Sequence, residues 1–217
     1  MEPIRSHRAR APYRPSAEAK PGWGPAASEV YPPREDSFLL ARFAEVGPGT
    51  RLLEVGAGSG LAALTAARRG AHVVATDLNP HALRLLRARA RSEGVDLALV
   101  RTDLARGLGR FDRLLANPPY LPTGPEERDP DPWHNLALDG GRDGCRVLRR
   151  LVEQLGDHLV PNGSAFVVVS SLQAPGALAG IRARWEGRGG RVGTVGSREL
   201  EGERLEVWRF VTGGSQV

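Results

Sequence analysis

LLEVGAGSG, residues 52–60, decides the architecture of this chain. Apolar residues run up to Glu54 and Val55, and glycines then stand at alternate positions, Gly56, Gly58 and Gly60. That pattern reads as a strand that stops in a tight turn and restarts as a helix. A dinucleotide fingerprint of the form G-x-G-x-x-G/A would need a small residue at position 61, where Leu61 stands. The spacing present lets the backbone pass close beneath a ligand that lacks a pyrophosphate, and S-adenosylmethionine is such a ligand.

Strands and helices alternate outward from this turn. A first helix is expected over 35–45, a strand over 51–55 and a helix over 60–69. HVVATD (72–77) reads as a second strand, and Asn79-Pro80 opens the next helix with Asn at the N-cap and Pro in the first turn. LALVRTD (97–103) and FDRLLAN (111–117) supply a third and a fourth strand, and 121–142, heavy in Pro, Asp and Gly, reads as loop. A helix over 144–159, the strand AFVVVSS (165–171), a helix over 176–186 and closing strands over 191–196 and 205–211 complete the chain. The expected fold is α/β and Rossmann-like, a mostly parallel sheet covered by helices on both faces, with ligands at the carboxyl ends of the strands. Residues 28–217 would form this domain. Residues 1–27, rich in Pro, Ala and Arg and without hydrophobic periodicity, read as a disordered arm.

Acidic residues close successive strands. Glu54, at the glycine turn, could hold water or an ammonium group. Asp77 stands about 20 residues beyond the turn, where a carboxylate reaches ribose hydroxyls. Asp103 can accept from an adenine amino group while Leu104 covers the ring. With Gly56 and Gly58 these residues make a candidate seat for S-adenosylmethionine.

The fourth strand runs directly into Asn117-Pro118-Pro119-Tyr120. The nitrogen of an adenine, a guanine or a glutamine amide has its lone pair delocalised, so both of its N–H bonds must be held before it can attack. Asn117 offers its side-chain carbonyl and Pro118 its backbone carbonyl. Pro119 keeps Pro118 extended, and Tyr120 offers an aromatic face for a planar group. Catalysis by such a clamp comes mainly from orientation and needs no strong base. Asn117, Pro118 and Tyr120 are thus the candidate catalytic residues for methyl transfer to nitrogen.

Composition agrees with one enzyme domain. The chain has 217 residues, 41% of them hydrophobic, enough for a substantial core. Cys145 is the sole cysteine and reads as a small buried residue, and no Cys/His spacing suits a metal. No apolar run approaches about 18 residues, so no membrane association and a cytoplasmic location are expected. The net charge of +5 is carried almost wholly by arginine, Lys20 being the single lysine. Arg84, Arg87, Arg89 and Arg91 read as a solvated helix face, so charge alone does not indicate nucleic acid.

LLEVGAGSG, ATDLNPHAL, TDL and NPPY, in this order, resemble the HemK/PrmC family of protein-glutamine N5-methyltransferases, class I enzymes that methylate release factors. VYPPREDSFLL (30–40), ALDGGRDGCRVLRR (137–150) and EGERLEVWRF (201–210) are similar to segments of its short branch. The resemblance covers about residues 30–211 and implies a seven-stranded sheet. It also implies a cofactor site lined by Ser37, Glu54, Gly56, Asp77, Asp103, Leu104 and Asn117, with Asn117 holding the substrate amide too. A class I release factor is the implied substrate, and a small zinc-binding activator protein, covering an exposed sheet edge, the implied optional partner. The alternative is methylation of adenine or guanine amino groups in rRNA or DNA, which would use the same clamp. A scaffold with a vestigial site is the non-enzymatic alternative, and the intact clamp argues against it.

Overall fold

The computed structural model describes residues 29–213. The expected arm, residues 1–27, lies outside them. In chain order the elements are α1 (Glu35–Ala41), β1 (Arg51–Val55), α2 (Leu61–Arg68), β2 (His72–Asp77), α3 (Pro80–Glu93), β3 (Ala98–Arg101), β4 (Phe111–Ala116), α4 (Pro132–Leu138), α5 (Arg146–His158), β5 (Leu159–Ser170), α6 (Pro175–Glu186), β6 (Arg191–Leu200) and β7 (Glu203–Val211). The strands form one seven-stranded sheet in the order β3-β2-β1-β4-β5-β7-β6. Pairing from β3 through β5 is parallel, and β7 runs against both of its neighbours.

Alternation along the strands divides the core into two layers. Leu53 and Val55 of β1, Leu114 of β4, Val167 and Val169 of β5 and Phe210 of β7 face one side, where Leu148, Leu151 and Leu155 of α5 and Ile181 and Trp185 of α6 cover them. Leu52, Leu115, Phe166, Val168 and Val207 face the other side, beneath Leu39 and Leu40 of α1, Leu64 of α2 and Leu86 of α3. A sheet flanked by helices on both faces is the expected α/β architecture. Strand order reverses between β1 and β4, which opens a crevice at the carboxyl ends of the parallel strands.

The boundaries depart from the sequence expectation in several places. The stretch 121–142 contains a 3₁₀ turn, Pro125–Glu127, and the helix α4, where pure loop was expected. Its Asp131-Pro132 pair is both loop punctuation and a helix start; here Asp131 accepts from Trp133 N at 2.8 Å and caps the helix. The first helix ends at Ala41 and tightens into 3₁₀ over Arg42–Ala44. The closing strands are longer than expected, since β6 and β7 form a hairpin closed at Glu201-Gly202, with Gly202 at φ 74°. β6 stands at one end of the sheet, with its outer edge unpaired among the described residues, and its register against β7 shifts between Thr194 and Gly196.

Candidate functional site

The glycine turn is built by its neighbours. Gly56, Gly58 and Gly60 all have positive φ, 68°, 48° and 73°. At Gly56 and Gly58 an added Cβ would meet nothing within 4 Å, so glycine is required there for conformation alone. At Gly60 the Cβ would lie 2.3 Å from Leu86 Cδ1, and the turn also packs directly on α3. Gly60 brings no side chain to cap α2. Glu54 does so instead, its carboxylate accepting from Ala63 N at 2.7 Å. Arg89 donates to the Ser59 carbonyl at 2.8 Å, so this arginine leaves the solvated face assigned to it and braces the turn.

Glu54 is buried, 5% exposed, where a solvent-facing strand end would have been unremarkable. Burial pushes its carboxyl up to about 8 despite the Ala63 N–H. Asp77, the expected ribose acceptor, already receives two backbone donors, Gly58 N and Asn79 N, each at 2.8 Å. Burial raises its pKa against the pull of these bonds. Asp77 therefore holds the glycine turn and the start of α3 in place while presenting its remaining lone pairs to the crevice.

Asp103 pairs with Arg150 of α5. Leu104 has φ 55°, a left-handed conformation that costs a branched side chain free energy. The buried Thr76 hydroxyl donates to the Leu104 carbonyl at 2.9 Å and holds that conformation.

Asn117, Pro118, Pro119 and Tyr120, the expected clamp, line the cleft as well. Asn117 Oδ1 is buried and has no hydrogen-bond partner among the described residues. A buried carbonyl without a donor is costly, and it is poised for a donor that comes from outside the chain. Behind the tetrapeptide, Gly144 (φ 72°) passes so close that a Cβ there would lie 2.4 Å from the Tyr120 carbonyl oxygen. Gln173, buried, donates to the Gly144 carbonyl at 2.8 Å and accepts from Ser170 N at 2.9 Å, fixing this packing. Cys145, beside it, is a buried core residue whose thiol burial pushes up to about 11.

Tyr120 is held by more than its ring. Its hydroxyl donates to Asp36 Oδ2 at 3.3 Å, and Asp36 is buried in α1. Burial and the Asp36 carboxylate raise the Tyr120 pKa far enough to keep the phenol protonated. Ser37, expected at the cofactor site, donates from its hydroxyl to Asp36 Oδ1 at 3.2 Å. Asp36 thus links two expected site residues without having been expected there itself. Its position one residue before Ser37 in REDSF is the signal that was present.

All these residues meet in one cleft of about 690 Å³: Ser37, Glu54, Gly56, Gly58, Asp77, Asp103, Leu104, Asn117, Pro118 and Tyr120 line it together. The size suits a drug-sized or cofactor-sized molecule. The donor set also fits S-adenosylmethionine: carboxylates for its ammonium and ribose, apolar Leu78 and Leu104 for its adenine, and an acceptor of unmet capacity beside the clamp. Arg34, Trp133, Asn135, Arg146 and Glu203 line the cleft as well; Arg34, Arg146 and Glu203 stand in the resembling segments 30–40, 137–150 and 201–210, whereas Trp133 and Asn135 stand in the stretch read as loop. Among the described residues no group of three or more His, Cys, Asp or Glu could hold a metal, and no helix is long and apolar enough to cross a membrane.

The family model of the methyltransferase small domain matches residues 35–129. The chain is 35% identical over 200 residues to Methyltransferase HEMK2 of Homo sapiens, covering 85% of this chain and 91% of the human protein. It is 42% identical over 143 residues to the release factor glutamine methyltransferase of Deinococcus radiodurans, covering 63% of this chain and 51% of that protein, so it spans about half of that relative's length. Among solved structures, the E. cuniculi Mtq2–Trm112 complex, described as responsible for the methylation of the translation termination factor eRF1, superposes with a TM-score of 0.66 at 26% identity, covering 85% of this chain and 99% of that one.

Proposed function

We propose, from the premise that this chain belongs to the HemK/PrmC family of class I methyltransferases, that it methylates the side-chain amide nitrogen of a glutamine in a class I release factor, in its Gly-Gly-Gln loop. The observation that carries the reading is the buried, unpartnered Asn117 Oδ1 on the wall of the cleft. A primary amide supplies the missing donor. One amide N–H donates to Asn117 Oδ1 and the second to the Pro118 carbonyl, while the planar group lies against Tyr120. This holds the nitrogen in line with the methyl carbon and prevents its rotation. When bound, S-adenosylmethionine supplies an electrophilic methyl group on a sulfonium. With that cofactor bound, the nitrogen held by Asn117 and Pro118 would take the methyl carbon, the electron pair of the S–C bond would stay with sulfur, and the nitrogen would give one proton to solvent.

Glu54, Asp77, Asp103 and Leu104 would hold the cofactor, with Gly56 and Gly58 letting it approach the backbone and Ser37 beside its reacting end. The names of the Deinococcus relative and of the Mtq2–Trm112 complex support the substrate class, and the second also supports a small activator protein as partner. A cytoplasmic reaction, where release factors act, follows from the same reading.

The test incubates the full chain with S-adenosylmethionine and, side by side, a class I release factor, ribosomal RNA and DNA, with and without a small zinc-binding activator protein. Mass spectrometry should find one added methyl group on a single glutamine of the release factor. Methylation confined to adenine or guanine amino groups would overturn the protein-substrate reading.

A further inference from the structure

Two separate segments roof the cleft, and one histidine ties them together. The segment before α1 lays Val30 and Tyr31 along the cleft, and α4 lays Trp133 and Leu136 along it. His81, in the first turn of α3, meets both segments. Its Nδ1 pairs with the Glu29 carboxylate, and its ring meets the Trp133 indole edge-on, with centroids 5.6 Å apart and planes at 63°. Asn79 adds a second tie, donating from Nδ2 to the Glu29 carbonyl at 2.7 Å.

The burial of α4 is informative. It carries Trp133, Leu136 and Leu138, yet none of its residues is buried. Asn135 donates back to the Asp131 carbonyl at 3.2 Å, and at the C-terminal end Leu121 N donates to the Leu138 carbonyl at 3.1 Å while Gly140 N donates to the Leu121 carbonyl at 2.9 Å. A helix of 7 residues has no stability of its own. The backbone bonds to Leu121 anchor its C-terminal end, and what its apolar side, Trp133 and Leu136, meets along the cleft decides how the rest of it sits.

We propose that Trp133 is a cofactor-contacting residue that closes over the Asp77 end of the cleft, and that His81 is the positioning residue that holds it there. The proposal rests on S-adenosylmethionine occupying the cleft. An indole face is suited to a ligand that carries a sulfonium and an ammonium, and bound cofactor would bury the apolar side of α4. Release then requires the His81–Trp133 contact to part, so opening of this roof sets the rate at which cofactor or product leaves.

Stopped-flow tryptophan emission with S-adenosylmethionine and S-adenosylhomocysteine tests this, with calorimetry on the same preparations. Wild type should bind with a change in emission. Trp133→Phe should lose that change while keeping affinity within a few fold. Trp133→Ala should release ligand about 10- to 100-fold faster, and His81→Ala about 3- to 10-fold faster. An emission change that persists in Trp133→Phe, or wild-type release rates in both alanine variants, would overturn the proposal and leave the cofactor reading intact. A wild-type protein that binds neither ligand by calorimetry would instead remove the cofactor reading, and this proposal with it.

Discussion

The Tyr120 hydroxyl and the Asp36 carboxylate, 84 residues apart in sequence, meet at 3.3 Å and join the proposed substrate clamp to α1. From the sequence, Tyr120 acts by its ring alone and Tyr120→Phe should be mild. The structure changes that expectation, because the phenylalanine leaves a buried carboxylate short of a donor. Tyr120→Phe should cost about 1–3 kcal/mol of stability. Asp36→Asn should cost less, and the two together should be non-additive. Urea unfolding of the four proteins in the cycle measures the coupling, and additive losses would show the contact to be idle.

Asn117→Ala should lower turnover by at least about 100-fold while cofactor affinity stays within a few fold, since the lost acceptor orients the substrate nitrogen. Its effect on stability should be small or even favourable, because the deleted carbonyl has no partner among the described residues. Asn117→Asp retains an acceptor and should keep part of the activity. Single-turnover methylation together with calorimetry separates the terms, and near wild-type turnover in Asn117→Ala would remove the clamp mechanism.

Asp77→Ala should weaken S-adenosylmethionine binding roughly 10- to 100-fold. It should also lower the melting temperature, because Gly58 N and Asn79 N lose their acceptor. A variant that loses affinity with no change in melting temperature would show that the carboxylate does not hold the turn.

Glu54 makes stability depend on pH in a direction unusual for a carboxylate. Its pKa is raised in the folded protein to about 8, so between the ordinary carboxylate range and that value the folded state keeps a proton that the unfolded chain has released. The contribution is therefore fully present below the ordinary range and is lost as pH rises through about 8. The melting temperature should fall by about 5 °C or more between pH 6 and pH 9. Glu54→Gln should flatten that decline. An equal decline in the variant would assign it to other groups.

Gly144→Ala should lower both stability and turnover, because its methyl group would be driven into the Tyr120 carbonyl from a backbone with φ 72°. A loss of at least about 2 kcal/mol is expected, with turnover falling further than cofactor affinity. Unchanged turnover would mean that the clamp tolerates a shift of its carbonyl.

Strand periodicity and the three glycines made the parallel half of the sheet legible: β1 and β2 lie where the pattern put them, and Asn79-Pro80 opens α3 as expected. Glu54, Asp77, Asp103 and Asn117 come together in one cleft because they stand at or just past strand ends, where position along the chain determines position in space. What the sequence hid was long-range. Asp36 reads as an ordinary acidic residue in a first helical turn, and only the sheet brings it beneath Tyr120. Trp133 stands in a stretch whose Pro and Asp content reads as loop, and Arg89 shares the spacing of its solvated neighbours while reaching back to Ser59. Local pattern specifies an element and its face, but not which distant polar atom that face meets.

The reversal of strand order between β1 and β4 suggests a chimaera in which the N-terminal half supplies the methyl donor and the C-terminal half is exchanged to change the acceptor. The buried Asp36 carboxylate obstructs that division. It belongs to the donor half by sequence and to the acceptor half by contact, so a transplanted clamp would arrive without its anchor. A working graft would have to carry α1 along with β4 and everything after it, so recombination would need two boundaries, one between α1 and β1 and one between β3 and β4.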